Sequence, residues 1–206
     1  MSSAIRIHNF PLSGHCHRVE LFAKLTGINH ELVFVDLAAG EHKKEPFLSL
    51  NPAGKVPVIE DGNVVLADSN AILVYLARKY APDWLPKDPV EEAQVQRFLS
   101  MAANEIANGP AAARLVTVFG APLDADRAKT IAAYVFDILE KHLDNREWLV
   151  GSKPTIADVA IYTYTAHAPE GNVSLEPYPN IRAFLKRVEA LPGFAAMPAT
   201  KAGLAA

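Results

Sequence analysis

The segment VPVIEDGNVVLADSNAILVYLARKY, residues 56–80, contains two strand patterns and a helix pattern in immediate succession. The runs VPVIED and NVVLAD are rich in β-branched residues, and Asp61-Gly62-Asn63 between them is typical of a tight hairpin turn. From Ser69 onward, apolar residues recur with helical spacing. The segment therefore predicts an antiparallel strand pair followed by an amphipathic helix.

The residues before this segment predict a strand, a helix and a second strand. AIRIHNF (4–10) and HELVFVDL (30–37) have strand patterns, and a helix pattern from His15 to Thr26 lies between them. A strand–helix–strand unit makes its two strands parallel through a right-handed crossover. The first part of the chain is therefore predicted to be βαβ-ββα, a mixed four-stranded sheet with helices.

The residues after it predict a change to an all-helical fold. PDWLPKDP, residues 82–89, has three prolines and is predicted to be a linker. Thr155 and Asp158 have the spacing of a helix capping box. Candidate helices run over about 90–119, 124–143, 155–167 and 179–191. We therefore predict an α/β plus all-α fold with an α/β domain at 1–81, a linker at 82–89 and a helical domain at 90–206.

Composition excludes several classes of protein. The chain has 206 residues, half of them hydrophobic, and a net charge of −3, so we expect no basic surface for nucleic acid or an acidic membrane. No apolar run approaches the roughly 20 residues of a membrane span, and MSSAIRIHNF does not resemble a secretory signal. A single cysteine cannot form an internal disulfide, which fits a reducing compartment. The predicted location is cytoplasmic.

Ser13-Gly14-His15-Cys16 has the spacing of a C-x-x-C motif whose first cysteine is replaced by serine. In C-x-x-C sites the first thiolate, at a helix N-terminus, is the redox nucleophile. A serine there can cap the helix or donate a hydrogen bond, but it cannot form a disulfide. We predict that Cys16 is a small buried hydrophobe and that His15 and His17 are exposed.

The succession of a small α/β half, a proline-rich linker and a helical half resembles the cytosolic glutathione transferases. The segment GEHKKEPFLSLNPAGKVPVIEDGNVVLADSNAI (40–72) closely matches the glutathione-site segment of the phi and theta-like classes. SGHCHRV (13–19) resembles the serine-class active-site loop, and TIADVAIY (155–162) resembles the capping box of the family's sixth helix. The resemblance covers nearly the whole chain. It implies a thioredoxin-like glutathione-binding domain and a C-terminal helical bundle that contributes an electrophile pocket.

The same resemblance implies roles for individual residues around the glutathione sulfur. Ser13 would donate its hydroxyl to the sulfur, with His15 as a possible second donor. Val56, before a cis bond to Pro57, would pair through its backbone with the cysteinyl part of glutathione, as in strand addition. Lys55 would contact the tripeptide backbone or the glycyl carboxylate.

The two ends of the tripeptide are assigned in the same way. Asp68 would pair with the γ-glutamyl ammonium, and Ser69 would both cap its helix and donate to the γ-glutamyl carboxylate. His42 and Lys43 match a pair that reaches the glycyl carboxylate in the phi class, although a solvated charged loop is the alternative. Asn104 falls where theta-like relatives have an acid near the γ-glutamyl amine, and its role stays open. Histidines and acids show no metal-ligand spacing, so no metal is predicted.

These inferences predict a glutathione S-transferase that uses glutathione as co-substrate and attacks an apolar electrophilic small molecule, an activity associated with detoxification. The family resemblance also predicts a homodimer, without nucleic-acid or membrane partners. One alternative is a glutathione-dependent thiol–disulfide reductase or peroxidase, disfavoured because Cys16 occupies the resolving position. The other is a non-catalytic glutathione-transferase-like binding module, disfavoured by the joint presence of Ser13, Asp68 and Ser69.

Overall fold

The computed structural model describes residues 4–206, which form two compact units. The first unit extends to Pro82 and also includes Pro192–Pro198, and the second comprises Asp83–Leu191 and Ala199–Ala206. The first unit is a helix-covered sheet and the second is helical, which confirms the predicted fold class. The return of Pro192–Pro198 to the first unit was not predicted, because that segment has no periodic pattern.

A four-stranded sheet with the order β2-β1-β3-β4 forms the centre of the first unit. Its strands are β1 (Ile5–Asn9), β2 (His30–Phe34), β3 (Val58–Asp61) and β4 (Val64–Ala67). β1 pairs in parallel with β2 and antiparallel with β3, and β3 and β4 form the predicted hairpin. Gly62 in the connecting turn has a φ of +61°, a conformation that glycine adopts without steric penalty.

Three helices accompany this sheet: α1 (Gly14–Leu25), the short α2 (Phe47–Leu50) and α3 (Ser69–Tyr80). α1 packs against β1 and α3, and fully buried residues such as Val19, Phe22 and Leu76 form their apolar faces. A separate cluster of Val35, Phe47 and Val58 forms around α2. Because α1 and α3 are fixed in this core, the side chains at their N-termini have defined positions.

The returning segment Pro192–Pro198 is fastened to α1. The carbonyl oxygen of Ala195 lies 2.8 Å from Nε2 of His17, and a Cβ added to Gly193 would lie 2.6 Å from the Lys24 carbonyl oxygen. His17 is consequently only 4% exposed. The prediction that His17 is exposed was wrong, because its neighbours come from a segment almost 180 residues away in the sequence.

The second unit contains five α-helices, where the sequence predicted four: the predicted 90–119 helix corresponds to two of them, and the other three lie at the predicted positions with small differences at their ends. The five helices are α4 (Pro89–Met101), α5 (Ala112–Phe119), α6 (Ala125–His142), α7 (Ile156–Ala166) and α8 (Pro179–Glu189). None of the helices between residues 4 and 206 is long and apolar enough to cross a membrane.

The ten residues Ala102–Ala111 join α4 to α5 as a π-helix, so the predicted 90–119 helix is not uniform. Pro110 lies within it, and a proline cannot donate the backbone hydrogen bond of a regular α-helix and clashes with the preceding turn. Gly109 lies against α6, where an added Cβ would approach the backbone nitrogen of Ala132 to 2.9 Å. The π-helix thus occurs where a proline interrupts the regular α-helix and where a glycine allows close packing against α6.

Two buried polar networks organise the loops of the second unit. The predicted capping box is present: Oγ1 of Thr155 accepts from the Ala157 N–H, and Oδ2 of Asp158 accepts from the Thr155 N–H at 2.7 Å. In the other network, the carboxylate of Glu170 accepts from Arg114 Nε at 2.7 Å and from the Thr200 hydroxyl at 2.6 Å. The Glu170 network therefore fastens the last residues of the chain to the helical unit.

Candidate functional site

The predicted site residues of the first unit lie on four segments: the N-terminus of α1, the 3₁₀ turn at Glu41–Lys43, the loop before β3, and the N-terminus of α3. Ser13 is the N-cap of α1 and has extended backbone angles. Its Oγ accepts a hydrogen bond from the Cys16 N–H at 3.3 Å. Oγ is the acceptor in this bond, so the bond leaves the hydroxyl hydrogen for another partner.

Cys16 is a buried thiol, as predicted. Its side chain is 0% exposed, and the Phe10 N–H lies 3.5 Å from Sγ. Burial raises the pKa of the Cys16 thiol to about 11, although hydrogen bonds with the Ser13 side chain and the Phe10 backbone oppose this rise. Cys16 is therefore a neutral thiol near pH 7, without the thiolate character of a redox nucleophile.

His15 packs beside the N-terminus of α3, so the prediction that it is exposed was wrong. Its Nδ1 lies 3.3 Å from Oγ of Ser69 and 3.5 Å from a terminal nitrogen of Arg18. Burial, together with the charge of Arg18, lowers the pKa of His15 to about 3. The imidazole is therefore neutral at physiological pH and contributes hydrogen-bonding capacity but no charge.

Asp68, and not Ser69, caps α3. Oδ1 of Asp68 accepts from the N–H groups of Asn70 at 3.0 Å and Ala71 at 2.9 Å. The predicted capping role of Ser69 was wrong because Asp68 adopts a positive φ of 73°, which turns its carboxylate over the first turn and leaves Ser69 as the first helical residue. Asp68 is exposed, whereas Ser69 is 4% exposed.

Arg18 connects α1 to α3, and sequence analysis missed it. Its guanidinium is 1% exposed, and one terminal nitrogen donates to Oγ of Ser69 at 2.8 Å and to Oδ1 of Asn70 at 2.9 Å. One signal was available in the sequence. Arg18 has helical spacing to the apolar residues Leu21, Phe22 and Leu25, and a charged residue on such a face needs polar partners when it is buried.

The loop before β3 has the predicted cis peptide bond between Val56 and Pro57. The Lys55 side chain is exposed, and its carbonyl oxygen accepts from Nδ2 of Asn51 at 2.8 Å. The Val56 side chain packs against the cluster around Phe47. The Asn51 side chain and the Phe47 cluster thus fix the two residues that precede the cis bond.

A 3₁₀ turn at Glu41–Lys43 brings His42 and Lys43 to the same loop. Nζ of Lys43 donates to the Gly54 carbonyl oxygen at 2.9 Å, and a Cβ added to Gly54 would lie 2.6 Å from the His42 carbonyl oxygen. Burial and the neighbouring Lys43 charge lower the pKa of His42. Its Nδ1 is buried without a hydrogen-bond partner among residues 4–206.

Two further predictions concern other parts of the chain. Asn104 belongs to the second unit, where its carbonyl oxygen and Oδ1 accept from Nδ2 of Asn108 at 2.9 and 3.1 Å. Within the described part of the chain, residues 4–206, no three His, Cys, Asp or Glu side chains are grouped so that they could hold a metal ion.

The chain is similar to known proteins in both of its units. Residues 12–79 match the family model for the glutathione S-transferase N-terminal domain, and residues 115–192 match the model for the C-terminal domain. Human glutathione S-transferase theta-2 is 36% identical over 187 residues, which cover 85% of this chain and 76% of the human protein.

Solved structures show the same relationship. A glutathione S-transferase from Pseudomonas fluorescens superimposes with a TM-score of 0.90 at 31% identity, covering 95% of this chain and 99% of that one. A glutathione transferase homologue from Drosophila mojavensis, solved with bound glutathione, has a TM-score of 0.85 at 26% identity and covers 93% and 90% of the two chains. The chain therefore belongs to the glutathione S-transferase family.

Proposed function

We propose that the protein is a glutathione S-transferase that binds glutathione in its first unit and activates the thiol for attack on an electrophilic small molecule. The observation that carries this proposal is the 3.3 Å contact between Nδ1 of His15 and Oγ of Ser69. It holds the N-terminus of α1, with Ser13, next to the N-terminus of α3, with Asp68. Helix N-termini favour anions, so this arrangement is suited to a ligand with a thiolate and a carboxylate.

The proposed contacts distribute the tripeptide over these four segments. The exposed carboxylate of Asp68 pairs with the γ-glutamyl ammonium, and the Ser69 hydroxyl donates to the γ-glutamyl carboxylate. The backbone of Val56 binds the cysteinyl part. Lys55, whose side chain is exposed, and His42 bind the glycyl end.

Ser13 is the proposed thiol-activating residue. A free thiol has a pKa of ~8.5, so only about 3% is ionised at pH 7. Lowering that pKa by about 2 units requires about 2.7 kcal/mol of thiolate stabilisation. A hydrogen bond from the Ser13 hydroxyl and the N-terminal dipole of α1 together supply roughly this amount. The buried, un-ionised Cys16 gives no support to the alternative of a thiol–disulfide reductase.

An apolar acceptor substrate is favoured by the surroundings of Ser13. The Ser13 N–H donates to the Phe10 carbonyl oxygen at 2.9 Å, and the Phe10 ring lies 6.4 Å from the ring of Phe34. Phe34 is 61% exposed, so an aromatic surface is open to solvent beside the proposed thiol position.

We also propose a cytoplasmic homodimer. The helical stretch from α4 to α5 exposes Val90 (68%), Leu115 (38%) and Phe119 (46%), an excess of apolar surface that a second subunit would cover. Light scattering at micromolar concentration tests this assembly, and a monomeric mass contradicts it.

The function is tested by retention on glutathione-agarose followed by assays with halogenated aromatics, epoxides, isothiocyanates and peroxides. We expect retention, elution by free glutathione, and conjugation of at least one apolar electrophile. Retention without turnover of any acceptor supports the binding-module alternative. Turnover of disulfides or peroxides alone supports the reductase or peroxidase alternative.

A further inference from the structure

We infer that Arg18 is a positioning residue for the γ-glutamyl carboxylate of glutathione and that it acts through the hydroxyl of Ser69. This inference rests on the proposed function. It adds a residue whose side chain is 1% exposed and lies behind Ser69 in the packing between α1 and α3.

The direction of the hydrogen bonds is fixed by chemistry. A guanidinium only donates, so Oγ of Ser69 accepts from Arg18 at 2.8 Å. The single hydroxyl hydrogen of Ser69 must then point to another acceptor. Without ligand, Nδ1 of the neutral His15 at 3.3 Å can receive it, and a bound carboxylate would compete as a stronger, charged acceptor.

The same guanidinium also holds a second side chain at the start of α3. Arg18 donates to Oδ1 of Asn70 at 2.9 Å, so it holds the side chains of the first two residues of α3. A hydroxyl that accepts from a cation is polarised and becomes a better donor. Arg18 therefore adds its positive charge to the field of the α3 N-terminus and orients the Ser69 hydroxyl within it.

The geometry favours the carboxylate over the ammonium of the same γ-glutamyl group. Arg18, Ser69 and the first turn of α3 offer positive charge and donors. The acceptor for an ammonium is Asp68, whose carboxylate is exposed at the start of α3. Loss of Arg18 should therefore affect ligands with the carboxylate and leave ammonium recognition intact.

Two glutathione analogues separate these effects in calorimetric titrations. Glutaryl-Cys-Gly keeps the carboxylate and lacks the ammonium, whereas 4-aminobutanoyl-Cys-Gly keeps the ammonium and lacks the carboxylate. In Arg18→Met we expect about a tenfold weaker affinity for glutathione and glutaryl-Cys-Gly. The affinity for 4-aminobutanoyl-Cys-Gly should change by less than about twofold, because its only carboxylate is the glycyl one, which Arg18 does not position.

Two further variants distinguish positioning from general damage to the fold. Arg6→Met removes an arginine of the same unit that is bound to Glu31 and Glu60, and it should change none of the three affinities. Arg18→Lys keeps the charge and should show a smaller loss with the same ligand selectivity, which maintains the test if Arg18→Met does not fold. Adding Arg18→Met to Ser69→Ala should weaken glutathione affinity less than Arg18→Met does in the wild type. The reason is that Arg18 acts through the hydroxyl that Ser69→Ala has already removed.

Equal weakening of all three ligands in Arg18→Met or Arg18→Lys would overturn the inference and leave Arg18 with a purely structural role. Full additivity of Arg18→Met and Ser69→Ala would overturn it as well. If the wild-type protein does not bind glutathione at all, the proposed function fails, and the inference fails with it. If the wild-type protein binds glutathione and 4-aminobutanoyl-Cys-Gly equally well, the inference fails and the proposed function stands.

Discussion

Oγ of Ser13 lies 3.3 Å from the backbone nitrogen of Cys16 and accepts its hydrogen, so the proposed thiol-activating hydroxyl is also the cap of α1. Removing this hydroxyl should have two separable effects. In Ser13→Ala the pKa of bound glutathione should rise by about 1–2 units, and turnover at pH 7 should fall about tenfold to a hundredfold if thiolate formation limits the rate. Thiolate absorbance titrated against pH measures the first effect.

The same substitution should destabilise the fold by about 1 kcal/mol through loss of the cap. Asp124→Ala is the matched control because Asp124 caps α6 through the Arg127 N–H at 2.9 Å in the second unit. It should lower stability similarly and leave the thiol titration unchanged. Identical titration midpoints in wild type and Ser13→Ala would mean that Ser13 is only a helix cap.

Asp68→Asn should weaken glutathione binding by about 1–3 kcal/mol, because the charge opposite the γ-glutamyl ammonium is lost. The fold should survive, since asparagine is a good N-cap and tolerates the positive φ of this position. Calorimetry gives the affinity. Asp88→Asn, in which Asp88 caps α4 through the N–H groups of Val90 and Glu91, should leave the affinity unchanged.

Cys16 should resist thiol reagents in the native protein. Burial raises the pKa of its thiol to about 11, and its side chain is inaccessible, so neither the thiolate nor a path to it is available at pH 8. Alkylation followed by mass spectrometry should detect modification in denaturant and almost none without it. Rapid native alkylation would contradict the assignment of Cys16 as a packing residue.

His15 should remain neutral from pH 5 to pH 8. Burial and the neighbouring Arg18 charge lower the pKa of His15 to about 3, so its imidazole resonances should not shift in this range. Nuclear magnetic resonance with His15→Gln as the assignment control measures this directly. In urea the same ring should titrate near its ordinary pKa of ~6.5.

Glu170 should make the stability of the second unit sensitive to acid. Burial alone would raise the pKa of Glu170, but hydrogen bonds from Thr200, His167 and Arg114 outweigh it and lower the pKa to about 2 from 4.5. The folded state therefore binds this proton less readily than the unfolded state. Its stabilising contribution should be complete above about pH 4.5 and disappear as the pH falls toward 2.

Chemical denaturation at several pH values tests this dependence. Glu170→Gln should lower the free energy of unfolding at pH 7. It should also make that free energy less dependent on pH below pH 4.5. Glu176→Gln, which changes an exposed acid of the same unit, should retain the wild-type profile.

Features with a local cause could be predicted from the sequence. The turn at Gly62 and the capping box at Thr155 each depend on residues within a few positions, and each is present. The position of the α3 cap was wrong by one residue, because Asp68 and Ser69 are both good caps and only the backbone angle of Asp68 decides between them.

Features that depend on distant segments could not be predicted. The burial of His17 requires Ala195, and the role of Arg18 requires Ser69 and Asn70, more than fifty residues away. The sequence shows a charged residue on an apolar helix face, but it does not show which polar groups will meet it. The contacts between α1 and the start of α3 are therefore visible only in the three-dimensional structure.

The return of Pro192–Pro198 to α1 has a consequence for the order of folding during synthesis. The ribosome releases the chain from its N-terminus, and domains generally fold as units as they emerge. The first unit nevertheless lacks its last piece until residue 198 has been made, after the whole of Asp83–Leu191. The His17 side of α1 therefore stays uncovered during that time, and the first unit is completed only after most of the second unit has been synthesised.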